Sequence, residues 1–283
     1  MKAGTRCAIA IVALGAGGLV GAACGRARPV ADLKVNPRTV DLPYPHVAPL
    51  NLRLRPTGVL DGLWGKPRVF VHVLDGGRRL LRTFDHPLPE NWTPGRAQSY
   101  EIELYQSAIA ERLPTGAYEM TFGLYDDSGK RRWPLAVDGE EVGRREYRLA
   151  TLVVPAADGY SPSFEFTGPW LPVEPGSSKQ VVARRCLPGE GAIAVVEPPS
   201  EGTVRLAASI QTSVGAATGG AWRVSASCSP QAMEISGDEL QWVGFPLTSA
   251  GEPPCEIRFT PPGSAGSVQP LCLEVLAWRP SGN

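Results

Sequence analysis

Glycine and proline punctuate this chain so densely that no long helix fits between them. There are 32 glycines and 28 prolines among 283 residues, more than a fifth of the whole. Either residue in a helix interior costs about 1 to 3 kcal/mol. The segments between the punctuation marks alternate apolar and polar side chains. In Tyr118-Glu-Met-Thr-Phe-Gly-Leu-Tyr125, the residues Tyr118, Met120, Phe122 and Leu124 fall on one side of an extended chain, the pattern of a half-buried strand. The expected fold class is therefore all-β.

Strands are expected over 50–55, 68–74, 80–84, 99–105, 118–125 and 146–154, after a proline-rich stretch at 25–48 that ends in a first extended segment. Asp75-Gly76-Gly77 between two of these runs is a hairpin turn signal. The segment 106–113 (QSAIAERL) alone reads as a helix, of about two turns. Proline and serine then mark a linker at 155–163. A second set of strands is expected over 163–166, 180–185, 192–196, 203–212, 221–227, 240–245, 256–260 and 271–278, with a glycine-rich tip at 215–220. Regular strand spacing with turns between is the mark of sandwiches. The division is 1–23 signal peptide, 24–30 tether, 31–155 first sandwich, 156–162 linker and 163–281 second sandwich.

The first residues explain the tether. Lys2 and Arg6 precede an uncharged run, 7–23, that is too short and too rich in glycine and alanine to span a membrane. Positive start, apolar stretch and small residues before a cut are those of a secretory signal. Its end, Gly21-Ala22-Ala23-Cys24, resembles the lipobox of bacterial lipoproteins, with Gly21 where the strongest form has leucine. That resemblance implies lipidation of Cys24 as the mature N-terminus and a membrane partner; cleavage after Ala23 without a lipid is the alternative. Cysteine counting bears on the choice. Cys7 leaves with the signal, and Cys186, Cys228, Cys255 and Cys272 make an even set in the second half, suited to two disulfides in an oxidising compartment. Cys24 is then left over, and a lipid would remove an exposed thiol.

Strand parity constrains the pairing. Cys228 shares a face with Val224 and Ala226, and Cys255 with Ile257 and Phe259, so both point inward; Cys272 shares parity with Glu274 and points outward. Paired cysteines on neighbouring strands share a face. Of the three pairings that four cysteines allow, the expected one is Cys228–Cys255 with Cys186–Cys272.

Chemistry-bearing motifs are sparse. Asp85-His86 joins a carboxylate to an imidazole, but neighbours on a strand end point to opposite faces, and the prolines around them suit a loop pinned by side-chain to backbone bonds. His46 and His72 stand apart from any metal-ligand spacing. Asp126-Asp127-Ser128-Gly129-Lys130 lacks the alternating oxygens of a calcium loop and reads as a solvated hairpin. No nucleophile elbow, P-loop or dinucleotide fingerprint is present, so no cofactor, metal or enzymatic activity is expected. Net formal charge is zero, with basic residues dispersed, which gives nucleic acid no electrostatic footprint. Of the seven tryptophans, Trp222 suits a core, while Trp64 and Trp92 lie in loops where a ring would either cap the core or face a ligand such as a glycan.

The stretch 71–95 (VHVLDGGRRLLRTFDHPLPENWTPG), with 114–125 (PTGAYEMTFGLY) and 129–135, resembles an uncharacterised immunoglobulin-like module of bacterial envelope proteins. Some copies are attached to polytopic membrane glycosyltransferase-like proteins. In that setting a following sandwich begins much as Gly168-Pro169-Trp170-Leu171-Pro172-Val173-Glu174 does here. The resemblance implies two antiparallel immunoglobulin-like sandwiches and brings no catalytic residues. Nothing here matches a transferase portion, so glycosyl transfer is not implied. The expected function is a non-enzymatic envelope scaffold or interaction module, with envelope proteins or glycans as partners; the alternative is a carbohydrate-binding accessory protein using Trp64 and Trp92.

Overall fold

The structure, a computed structural model, describes residues 27–60, 65–89, 92–128, 131–156, 161–176, 178–211, 220–247, 254–263 and 268–281. The described residues are all-β, without a helix. The first twelve strands are β1 (Ala31–Asn36), β2 (Thr39–Asp41), β3 (Val47–Pro56), β4 (Pro67–Leu74), β5 (Leu80–Thr83), β6 (His86–Pro87), β7 (Gln98–Tyr105), β8 (Gly116–Asp126), β9 (Arg132–Trp133), β10 (Leu135–Ala136), β11 (Glu140–Gly143) and β12 (Glu146–Val154). The remaining ten are β13 (Ser163–Thr167), β14 (Glu174–Pro175), β15 (Ala183–Leu187), β16 (Ala192–Glu197), β17 (Gly202–Ile210), β18 (Trp222–Ala226), β19 (Ser229–Ile235), β20 (Gln241–Leu247), β21 (Cys255–Thr260) and β22 (Leu271–Pro280).

They form four sheets. One has the order β10-β1-β3-β7, and the second β11-β12-β8-β4-β5 with β2, β6 and β9 on its margins. The alternating residues of β8 and β4, such as Met120, Phe122, Val71 and Val73, meet Leu33, Leu50 and Leu52 from the opposite sheet in one buried core. The other two sheets, β13-β16-β21-β18-β19 and β14-β15-β22-β17-β20, enclose a second core containing Trp222, Phe245, Phe259 and Trp278. Pairing is antiparallel apart from two short parallel ladders, β1 with β10 and β2 with β12. The second follows from the chain changing sheets between β1 and β2; the Asn36-Pro37 peptide there is cis.

The hairpin at Asp75 forms as the sequence implies: Asp75 Oδ1 accepts from the amides of Gly77 and Arg79 at 3.0 and 2.8 Å. Three expectations are corrected. Residues 106–113 form no helix but a turn that is largely buried, with Glu111 and Arg112 exposed, because amides that a helix would use, such as those of Gln106 and Ala108, are bonded to other parts of the chain. Asp126 is fully buried rather than in a solvated hairpin. The strand expected over 180–185 forms as β15, Ala183–Leu187. β19 was not legible, since it is an edge strand exposed along its middle and shows no alternation. The signal peptide, Cys24, the middle of the linker (157–160) and the tip within 215–219 lie outside the described residues.

Both disulfides follow the ladders. Cys186 and Cys272 face each other across β15 and β22. Cys228 and Cys255 are bonded where the β18–β21 register continues into the turn after Ala226. Cys255 points into the second core, whereas Cys272 is buried on the opposite face of its sheet. A bulge at Glu274, where β22 shifts register against β17, returns Leu276 and Trp278 to that core and turns Val275 and Ala277 outward.

Candidate functional site

Part of the outward face of β22 and β17 is not solvated. Ala207, Val275 and Ala277 are fully buried against the first core. In the other direction, Ile109 from the 106–113 turn is buried in the second core. The backbone around it is tied down: Ala108 donates its amide to Leu276 O at 2.7 Å, and Leu276 donates its own to Ser107 Oγ at 3.0 Å. Gln106 spans the turn from within, its Nε2 donating to Leu42 O at 2.7 Å while its Oε1 accepts from the Leu113 amide at 2.8 Å. Trp278 adds a backbone bond to Pro45 at 2.9 Å. Each half thus completes the other's core.

Beside this seam lies an open cleft of about 460 Å³, between the edge of the first sheet pair and the second. Phe84, Ile102, Tyr105 and Trp242 supply its apolar surface, with Tyr105 and Trp242 edge-to-face at 5.3 Å. Arg205 lies across from the Trp242 ring, 5.5 Å from its centre, and Glu103 accepts from its Nε and Nη2 at 3.1 and 2.6 Å. Gly244 makes room, since a Cβ there would sit 2.8 Å from the Arg205 guanidinium. Arg279 extends the network to Glu103 and Glu101 at 2.9 and 2.8 Å. Charge-assisted pairs of this kind fix geometry between two bodies as much as they add energy.

A second polar cluster sits on the outer face of the β11-β12-β8-β4-β5 sheet. His72, isolated in the sequence, lies between two carboxylates: Glu146 3.6 Å from Nδ1 and Asp85 3.9 Å from Nε2. Thr121 donates to Glu146 at 2.6 Å and Tyr125 to Asp85 at 2.9 Å. The polar contact with His72, then the hydrogen bond from Thr121, hold the Glu146 carboxyl down at about 2 against the opposing effect of burial. Burial and the neighbouring Asp85 push the Tyr125 phenol up to about 12. Phe70 stacks on His72 at 4.5 Å and is itself buried, covered by the Arg132 guanidinium. Acids, imidazole and hydroxyls are thus spent on one another, and among the described residues no group of three or more His, Cys, Asp or Glu is arranged to hold a metal.

Asp85 and His86 do diverge. Asp85 faces Tyr125 on the outer side and accepts from the Val71 amide at 3.3 Å, whereas His86 turns toward the other sheet, 3.0 Å from Tyr100 Oη and 3.1 Å from Phe84 O. Burial lowers the His86 pKa. The pair pins a loop. Trp92 packs on the first core and donates its Nε1–H to Gly58 O at 2.9 Å, and Trp64 lies outside the described residues. Trp222 is fully buried, its Nε1–H bonded to Gln269 O. The aromatic that sequence reasoning passed over is Trp242; it sits on an ordinary alternating strand, and only the packing of the two halves places it at a cleft.

The two ends of the first sheet pair differ. β1 begins at Ala31 opposite Pro56 of β3, and Val30 accepts from the Thr57 and Gly58 amides, so the N-terminal segment leaves at this end. β3 runs from there over ten residues, about 30 Å, to Val47, beside the seam with the second pair. The N-terminal segment and the second half therefore lie at opposite ends. The two disulfides mark a fold formed in an oxidising, exported environment, and no helix of the described residues is long and apolar enough to cross a membrane.

No family model and no curated protein matches the sequence. Among solved structures, the secreted serine protease VesC from Vibrio cholerae is 12% identical over 88% of this chain and 51% of its own, with a TM-score of 0.26. The M60 catalytic domain of Clostridium perfringens ZmpB with its CBM51-1 and CBM51-2 domains is 10% identical over 90% of this chain and 32% of its own, with a TM-score of 0.32. The chain spans about half or less of the length of these proteins, and likeness at such scores carries no argument about activity.

Proposed function

We propose that this chain is an envelope lipoprotein, anchored through Cys24, whose two immunoglobulin-like sandwiches (31–155 and 163–281) form a non-enzymatic scaffold. The observation that carries the reading is the arrangement along the first sandwich. The tether leaves one end, and the second sandwich is fused to the other by mutual burial of Ile109 and Val275. A body built this way holds its second half about 30 Å beyond the anchored end, at a fixed angle. Exposed Leu171, Val173 and Met233 on that second half are the places for an envelope protein to dock. The test is photocrosslinking in cells from positions 171 and 233. Discrete crosslinks that vanish in a Cys24→Ser variant support the scaffold. Crosslinks that are absent from both positions, or unchanged when the anchor is removed, overturn it.

A second reading, saccharide binding, has the cleft in its favour, where the Trp242 ring meets charged side chains at a domain junction. A glycan array with Trp242→Ala, Trp92→Ala and Trp64→Ala separates the two. Binding abolished by one of these substitutions favours the accessory-protein reading; no binding favours the scaffold.

A further inference from the structure

We propose that the anchored end of the first sandwich is itself a lipid-facing surface, with Val59 resting in the interfacial layer of the membrane that holds Cys24. The proposal rests on the lipid-anchor reading above and adds an orientation to it.

Val59 is the most exposed of the large apolar residues described, at 69%. A lone exposed valine is unremarkable on most surfaces; its position gives this one meaning. The loop that carries it is sewn to the start of the domain: Thr57 and Gly58 both donate their amides to Val30 O, at 2.7 and 3.0 Å, and Thr57 Oγ donates to Pro29 O at 2.9 Å. The loop is also stiffened from below, since Gly58 O accepts the Trp92 indole N–H. Cys24 is only six residues before Val30. A fully extended chain of that length reaches roughly 20 Å, less than the length of the sandwich. A lipid on Cys24 therefore keeps this end within roughly 20 Å of the headgroups.

The surroundings suit such a surface. Arg28, Lys66 and Arg96 are exposed; Arg28 and Arg96 adjoin the loop, with Gly95 donating its amide to Pro56 O beside it, and Lys66 is paired through its backbone with the exposed Asp127. Basic side chains close to a bilayer are drawn to anionic headgroups, and an apolar residue between them enters the boundary layer. The partner is thus a bilayer containing anionic lipid. It would set the tilt of the first sandwich and so aim the second.

The test uses the full processed protein reconstituted in phosphatidylglycerol/phosphatidylcholine vesicles. Val59→Cys, or Met233→Cys as the distant control, carries an environment-sensitive fluorophore; the four cysteines of the second half are in disulfides. At position 59 the expected results are a blue-shifted emission and a several-fold drop in quenching by aqueous iodide. Both weaken in pure phosphatidylcholine and in an Arg28→Gln/Lys66→Gln/Arg96→Gln variant, while position 233 stays fully quenched. Equal quenching at 59 and 233 in lipid-anchored protein overturns the proposal. Mass spectrometry of the same sample keeps the two ideas apart. If Cys24 carries no lipid, the anchor reading fails by itself, and the tip is tested with a hexahistidine tag replacing residues 1–24 on nickel-chelating lipid. Protection at 59 there sustains the lipid-facing tip, and its absence removes it.

Discussion

Glu103 holds Arg205 beside the indole of Trp242: one carboxylate oxygen accepts from both Nε and Nη2 of the guanidinium, at 3.1 and 2.6 Å. The carboxylate belongs to the first sheet pair and the guanidinium to the second, so this contact reports on their union. Both groups are mostly shielded, with side chains 16% and 23% exposed.

Arg205→Ala should therefore cost about 2 kcal/mol, more than an exposed pair would, because Glu103 loses one of its two guanidinium partners. Urea unfolding of the variant, of Glu103→Gln and of the double variant measures the coupling. Strictly additive losses would show that the pair does not act as a unit.

Acid should loosen the outer face around His72. The folded pKa of Glu146 is depressed to about 2, so its contribution is complete above about pH 4.5 and is lost as pH falls toward 2. With allowance for solvent screening, this amounts to about 2 kcal/mol. Burial depresses His86 as well, which adds loss in the same direction once pH falls below the ordinary imidazole value. Stability measured between pH 2 and 6 should fall steeply in the parent and less steeply in Glu146→Gln.

Gly123→Ala should destabilise the first sandwich by about 1–3 kcal/mol. An added Cβ would enter the Phe70 ring and lie 2.7 Å from Arg145 O, and the backbone atom has little freedom to yield. Thermal melting checks this; a variant as stable as the parent would mean that Phe70 does not cover the strand as described.

Non-reducing peptide mapping should recover Cys186 linked to Cys272 and Cys228 linked to Cys255. The bridges span 86 and 27 residues, so loop closure alone puts the loss on removing each at about 4–5 and about 3–4 kcal/mol. Four free thiols would contradict the structure and the exported environment together.

Most of the strands, the Asp75 turn and the separation of Asp85 from His86 were legible along the chain, because a side-chain period of two and the backbone needs of glycine, proline and aspartate are local properties. The sequence also carried the two disulfide pairs, since parity decides which cysteines can meet across a ladder. Other features were beyond its reach. QSAIAERL has helical spacing, but Ser107 and Ala108 bond to Leu276, some 170 residues away, and Ile109 goes to the second core. His72 stands alone in sequence and sits between Asp85 and Glu146 only because β4, β8 and β12 lie side by side. Trp242 and Arg205 meet Tyr105 and Glu103 by the same kind of long-range packing. The sequence by itself determined the all-β class and the bounds of the alternating strands, through interactions among near neighbours. Which segments meet was decided by tertiary structure, because strand pairing and the burial of one half against the other depend on the whole chain at once.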